Sequence, residues 1–472
     1  MRKKVLSVLL CTAMAATLLT GCGGSDATSD TASSNASSEA SSEAEASKAD
    51  VSDGGKVLNI RCWNDEFQRR VKDHYPGYEE VDKETGKIGD ITVKWNITPS
   101  DDNAYQNALD EALLAQADAA ADDKVDLFLI EADYALKYVD TDYTVDIVND
   151  LGVSEDSLAQ QYKYTQDIVT NSSGALKGAS WQGCPAGMIY RRDVAKEVFG
   201  SDDPAKVQEI FSDWDAFKAA AAKLKDKGYQ ITSSVNDTYR VYSNNVSSKW
   251  VQDGKLNLDD NIKKWVDDSK EMVDNGYTGT YDLWSSDWSK GLMMDAKTFC
   301  YFGPAWFIDF SMGSKNEDGT WNKKSVGGNG KWGLTQGPQS FYWGGTWICG
   351  ANGTDNAAEI KDIIEKLTCD SEIMTGIVKK DNDFANNQAA MEELAADKSF
   401  KNEILGGQNP LPIFCENVAK IDLSNLSSYD QTCTEEFQAA MKNYFEGNAT
   451  YDEAWELFCK NVTTKHPEVS AE

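Results

Sequence analysis

The chain has 472 residues, with 46 basic and 77 acidic side chains and a formal net charge of −31. That acidity weighs against nucleic-acid binding, which needs Lys and Arg to displace counterions, and against lying flat on an anionic bilayer. Seven arginines and two histidines leave few groups for anion or metal chemistry, while 14 tryptophans are many for this length.

In chain order, the first element is a leader. Arg2, Lys3 and Lys4 precede the apolar run Val5 to Leu19, and Leu19-Thr20-Gly21-Cys22 follows. Residues 1–21 read as a bacterial lipoprotein signal peptide, cleaved before Cys22, which becomes the lipid attachment point. Its acyl chains hold the protein to a membrane at about 0.8 kcal/mol per buried CH₂. The expected location is therefore extracytoplasmic, on the outer face of the cell membrane. Residues 22–54 read as a disordered linker: from Ser25 to Asp53 there is no aromatic residue and no large aliphatic except Val51. Such a segment buries too little apolar surface to offset its ordering entropy, and acts as a tether of roughly 30 Å reach.

The body is long enough for two lobes. Val57 to Cys62 and Ile91 to Ile97 predict strands. Asp101 to Ala119 predicts a helix with Tyr105, Leu109, Leu113 and Gln116 on one face, and Val125 to Ile130 a third strand. This alternation predicts parallel α/β packing, in which ligands bind beyond the C-terminal strand ends. Those ends carry Trp63-Asn64-Asp65-Glu66 and Glu131-Ala132-Asp133-Tyr134. Ala179 to Arg192 predicts a strand leaving the first lobe. A helix is expected from Ser212 to Gly228, with Asp215 as its capping-box acid. Phe299 to Trp306 predicts a strand ending in Gly-Pro. Lys331 to Gly350 predicts two aromatic strands broken by Gly337-Pro338 and Gly344-Gly345. Thr354 or Asp355 caps a helix ending near Leu367, Thr434 begins one closed by Gly447, and Thr450-x-x-Glu453 is a capping box for the last. The body shows no internal repeat and no transmembrane run.

Catalytic and metal signatures are mostly missing. A zinc site or a nucleophile triad would have to use His74, because His466 lies in the C-terminal tail. Neither G-x-S-x-G nor a P-loop occurs. Gly328-x-Gly330-x-x-Gly333 follows no strand and opens no helix, so it reads as a loop. Asp381-x-Asp383 with Glu392 has the frame of a calcium loop, but Asn386 stands where the glycine belongs and Ala385 offers no ligand atom. No cofactor or metal is expected. Cysteines 62, 184, 300, 349, 369, 415, 433 and 459 form no C-x-x-C, and leave disulfides and free buried thiols equally open. Tryptophan pairs a flat apolar face with one N–H donor, a combination that suits a sugar ring.

The whole body, Gly54 to Pro467, resembles the extracellular solute-binding proteins of carbohydrate ABC transporters, the group that includes maltose-binding protein. The resemblance rests on the order of VDLFLIEADYALKYV, SWQGCPAGMIYRRDVAKEVFG, DWDAFKAAAAKL, FCYFGPAWF and FYWGGTWICGANGTDNAAEIKDIIEKL. It implies a two-lobed α/β fold of the type II periplasmic-binding-protein kind, with three crossing segments near 181–186, 344–350 and 406–412. Lobe one would take residues 55–180 and 350–405, and lobe two 186–344 and 412–465. The implied function is capture of a carbohydrate, an oligosaccharide by the number of aromatics, by a monomer that hands it to ABC transporter permease subunits without turnover. Gly303-Pro304-x-Trp306 matches the family segment whose Trp stacks on sugar. Trp306 and Trp343 would stack from one lobe and Trp63 and Trp181 from the other. Trp284, in an insert without a family counterpart, would join them. Asn64, Asp65, Glu131, Asp133 and Gln408 would bond hydroxyls. Two rivals stay open: a surface glycoside hydrolase, and a binder of peptides or anionic solutes supported by Arg191 and Arg192.

Overall fold

The computed structural model describes residues 49–471. The expected signal segment, Cys22 and most of the expected tether lie outside the described residues. The last tether residues are docked. Val51 packs against the core, the Asp50 and Ser52 carbonyls accept from the Gly353 and Ala357 amides, and the Asp53 carboxylate accepts from the Ala358 amide at 2.7 Å. The folded body thus begins ahead of the expected boundary. Backbone pairing needs no apolar side chain, so composition alone concealed it.

Thirteen strands occur among the described residues: β1 (Val57–Cys62), β2 (Tyr78–Glu80), β3 (Thr85–Ile88), β4 (Ile91–Ile97), β5 (Leu127–Glu131), β6 (Ala179–Ser180), β7 (Pro185–Arg191), β8 (Val251–Gln252), β9 (Lys255–Leu256), β10 (Cys300–Pro304), β11 (Trp332–Thr335), β12 (Phe341–Tyr342) and β13 (Thr346–Gly350). The first sheet has the order β2-β3-β4-β1-β5-β13-β6. Its centre, β4-β1-β5, is parallel, as the strand–helix alternation predicts, and β13 joins β5 antiparallel. The second sheet is smaller and antiparallel. There β7 lies between β10 on one edge and β11 followed by β12 on the other. All seven residues of β7 are buried, the apolar run Pro185 to Tyr190 by its composition and Arg191 through its ion pair with Asp193. The pair β8–β9 stands apart.

The chain passes between the sheets at 181–184, at 343–345, and again before the helix Leu411–Val418, whose Asn417 Nδ2 donates to the Ala186 carbonyl in β7 at 2.7 Å. One apolar cluster surrounds the second sheet and includes Phe217, Trp265, Phe302 and Phe437. Another runs from Leu58 and Ile60 of the first sheet through Trp181 and Phe384 to Ile189, Trp332 and Leu334 of the second. The body is therefore continuous at the back, where the chain crosses, and divided at the front.

Several local expectations need adjusting. The helix expected from Ser212 spans Trp214–Asp226, and its N-cap is Asp213, which accepts from the Ala216 amide at 2.8 Å. Asp215 lies inside the first turn, where its charge faces the helix dipole. Lys331 to Gly350 holds three strands, because β12 and β13 belong to different sheets. The helix expected from Thr434 starts at Asp430. The Thr450–Glu453 capping box forms in both directions. The carboxylates of Asp381 and Asp383 face the buried Arg70 guanidinium at 3.1 and 3.5 Å, so the calcium-like spacing serves an ion-pair network. The eight cysteines among the described residues are free thiols, and six of them are buried. No helix among the described residues is long and apolar enough to cross a membrane.

Candidate functional site

The divided front holds a cavity of about 720 Å³. Its first wall is built from strand ends of the first sheet. β1 ends at Cys62 and delivers Trp63. β5 ends at Glu131 and delivers Asp133 and Tyr134. Trp63 stands edge-on to Tyr105 at 5.5 Å and to Tyr134 at 6.4 Å, an arrangement that fixes its ring. The Tyr134 hydroxyl is buried without a hydrogen-bond partner.

The opposite wall comes from the second sheet's side. The helix Asn236–Ser243 contributes Asn236, Arg240 and Ser243; the helix Asp430–Phe445 contributes Gln431, Thr434, Glu435 and Gln438; an intervening segment contributes Trp284. Trp284 is 47% exposed and has φ +68°. For a bulky residue that backbone costs about 1–3 kcal/mol, a strain that concentrates at functional sites. Behind it stand Trp343 at 5.8 Å and Trp306 at 6.5 Å between ring centroids. The Trp306 indole N–H donates to the Trp343 carbonyl at 3.0 Å.

Arg240 reaches across. Its guanidinium donates two hydrogen bonds to the Asp133 carboxylate, at 2.8 and 2.5 Å, and lies 5.1 Å over the Trp343 ring. Glu131 accepts from the Asp133 amide at 2.8 Å. Burial, with the Asp133 charge adding to it, pushes the Glu131 carboxyl up to about 8. Burial likewise pushes Asp430 up to about 6.

Of the ten expected binding residues, the structure brings Trp63, Glu131, Asp133 and Trp284 to the cavity wall. Trp306 and Trp343 form the half-buried backing of Trp284 rather than the wall itself. Trp181 is 1% exposed and stacks on Phe67 at 5.4 Å, so it is core. Gln408 is an edge clamp: its amide donates to the Leu334 carbonyl at 2.8 Å and its oxygen accepts from the Leu334 amide at 2.9 Å and from Arg192 at 2.7 Å. Asn64 and Asp65 are exposed at the start of the helix Glu66–His74, where Asn64 accepts from the Glu66 amide and Asp65 pairs with Arg69. Arg191 and Arg192 do not line the cavity either. The first holds Asp193 in two bonds, and the second donates to the Trp332, Asp202 and Leu405 carbonyls. Sequence reasoning placed Tyr134 in the strand-end cluster without giving it a role, and missed Arg240 and the polar row on Asp430–Phe445. The row's spacing of three to four residues was visible, but it equally describes a solvated helix face.

Comparison with known proteins follows the same geometry. The sequence profile of a bacterial extracellular solute-binding protein family matches residues 79–402. No curated protein matches the chain. Among solved structures, an extracellular solute-binding protein of family 1 superposes with TM-score 0.67 at 19% identity, covering 86% of this chain and 99% of that one. The ABC transporter associated binding protein of B. animalis subsp. lactis Bl-04, solved with β-1,6-galactobiose, superposes with TM-score 0.63 at 18% identity, covering 89% and 100%. The sugar-binding protein MalE of Xanthomonas citri gives TM-score 0.63 at 14% identity, covering 87% and 98%. The fold is thus the two-lobed one of periplasmic-type binding proteins, with the cavity between the lobes. With a family profile over most of its length and this fold, the chain belongs to the bacterial extracellular solute-binding proteins.

Proposed function

We propose that the protein captures a carbohydrate between its lobes and delivers it to the permease subunits of an ABC importer, without chemical turnover. The observation that carries this reading is the pairing of aromatic faces with hydrogen-bonding groups across one cavity: Trp63 and Trp284 from opposite walls, with Glu131, Asp133 and a row of amide and hydroxyl side chains between them. Indole faces take the C–H faces of sugar rings, and carboxylates accept several hydroxyl bonds each. A volume of about 720 Å³ suits an oligosaccharide better than one ring. In the B. animalis relative the bound ligand is a disaccharide, β-1,6-galactobiose. The two lobes would be residues 55–180 with 350–405 and 186–344 with 412–465. The protein would act as a monomer outside the cytoplasm, held to the cell membrane through lipid on Cys22.

The test is a thermal-shift screen of the protein against mono- and oligosaccharides, with the sugars analysed for products afterwards. A ligand at 100 times its Kd adds about 2.7 kcal/mol of stability, which raises Tm by a few degrees. The expected result is a shift with the sugar recovered intact. Shortened sugars would make the protein a hydrolase, and silence across the panel would remove the carbohydrate reading. For the sugar found, Trp284→Gly is expected to weaken binding roughly tenfold or more, while Tm moves little because relieved backbone strain offsets lost ring contacts.

A further inference from the structure

A second cavity, of about 550 Å³, adjoins the first. Leu136, Tyr162, Tyr164 and Ile168 line it from the first sheet's side. Its other wall is the segment that leads from the helix Leu411–Val418 to the helix Asp430–Phe445. Three residues of that segment, Asp422, Leu423 and Leu426, line both cavities, so one strap of chain, 419–426, stands between them. The strap is lightly held. It has no regular secondary structure, and among the described residues its one hydrogen bond to a distant part of the fold runs from Asn425 Nδ2 to the Val246 carbonyl at 2.8 Å. Ile421, Leu423 and Leu426 rest half-buried on the apolar cluster of Tyr105, Tyr138 and Ile168. A segment with so few bonds is displaced at low cost.

The two cavities differ in chemistry. The first carries a row of amide and hydroxyl side chains, Asn236, Ser243, Thr434 and Gln438 among them. In the second, polar side chains are engaged with one another or with the backbone. Lys163 pairs with Asp167, Asp422 accepts from the Ser424 amide and hydroxyl, and the Tyr164 hydroxyl donates to the Gly183 carbonyl. What these pairings leave is mainly aliphatic and aromatic surface. A sugar ring placed there would lose water from its hydroxyls and find few partners, a cost that an apolar group does not incur.

We propose that the ligand is a glycoside with an apolar aglycone: its sugar lies between Trp63 and Trp284, and its aryl or alkyl group passes the strap into the second cavity. This deepens the carbohydrate reading and rests on it. The sugar supplies the hydroxyls that the first cavity bonds, and the aglycone supplies the apolar area that the second one covers.

The experiment is titration calorimetry with methyl and phenyl glycosides of glucose, galactose, mannose and cellobiose in both anomers. The pairs cellobiose with cellotriose and maltose with maltotriose serve as all-sugar extensions. In the scaffold bound most tightly, the phenyl form is expected to exceed the methyl form by roughly tenfold, with a more negative heat-capacity change from the apolar area it buries. Ala419 is exposed and lines the second cavity alone, so Ala419→Trp fills that cavity and should bring the phenyl-to-methyl ratio close to one. Ser424→Trp, at another exposed position of the second cavity alone, makes the same test if the first variant does not fold. Equal binding of phenyl and methyl forms, or a phenyl gain that survives the filled cavity, overturns the aglycone site and leaves the carbohydrate reading standing. So does a gain from the third sugar ring alone, which would make the second cavity a sugar subsite. Absence of binding by every glycoside and oligosaccharide overturns both.

Discussion

Asp237 shows how one buried residue couples the site to the core. It opens the helix that carries Arg240, is 8% exposed, and accepts from the Trp288 indole N–H at 2.7 Å and the Ser234 amide at 2.8 Å. Trp288 in turn lies 5.2 Å from Trp284. Burial wins over these two bonds and pushes the Asp237 carboxyl up to about 7. The folded protein therefore keeps this proton while the unfolded chain has lost it, so stability falls as pH rises from about 4 through about 7 and levels off above. The slope from one such group is at most about 1.4 kcal/mol per pH unit. Denaturant midpoints of wild type and Asp237→Asn across that range should differ by this declining curve, and parallel curves would place the proton elsewhere. At this scale the sequence was half legible. Trp63, Glu131 and Asp133 could be found because parallel strand ends point to ligands. Trp181 could not be told from a binding tryptophan, because core and site use the same residue type. Arg240 was one of seven arginines with nothing local to mark it, since its partner Asp133 is 107 residues away.

Elements position the site through their ends, and the decisive one is the break between β12 and β13. Gly344 and Gly345 have φ +74° and +116°, in the region that disfavours side chains. A Cβ at Gly344 would stand 3.3 Å from Trp306 Nε1 and 3.5 Å from Glu131 Oε1, so glycine lets these two groups converge on the crossing. Gly344→Ala is expected to destabilise the fold by about 1–2 kcal/mol from backbone strain, and to weaken ligand binding as Glu131 and Trp306 are pushed apart. Thermal melts with calorimetry check both, and unchanged affinity would detach this crossing from the site. The glycine pair was readable as a break between strands. That the break also carries the chain from one sheet to the other was readable only through resemblance, because strand pairing partners leave no local trace. The antiparallel second sheet was hidden for the same reason. By contrast the Thr450–Glu453 capping box, a purely local device, was legible outright.

For the whole molecule, the continuous core behind the crossings and the divided front describe a body that can open on one side only. In the structure the lobes are tied across the front by the Asp133–Arg240 pair, from the loop after β5 to the helix Asn236–Ser243. Both side chains are partly exposed, 35% and 23%, so the pair contributes about 1 kcal/mol rather than the larger value of a buried bridge. A bias of that size changes the closed-to-open ratio roughly fivefold. Asp133→Asn keeps the side chain's size and removes the charge that Arg240 grips. In the absence of ligand the variant is expected to scatter X-rays with a larger radius of gyration than wild type. A saturating sugar should bring the two curves together, because a ligand filling the cavity supplies its own contacts to both walls. If the ligand-free curves already coincide, the tie does not set the resting state, and closure would depend on the ligand alone.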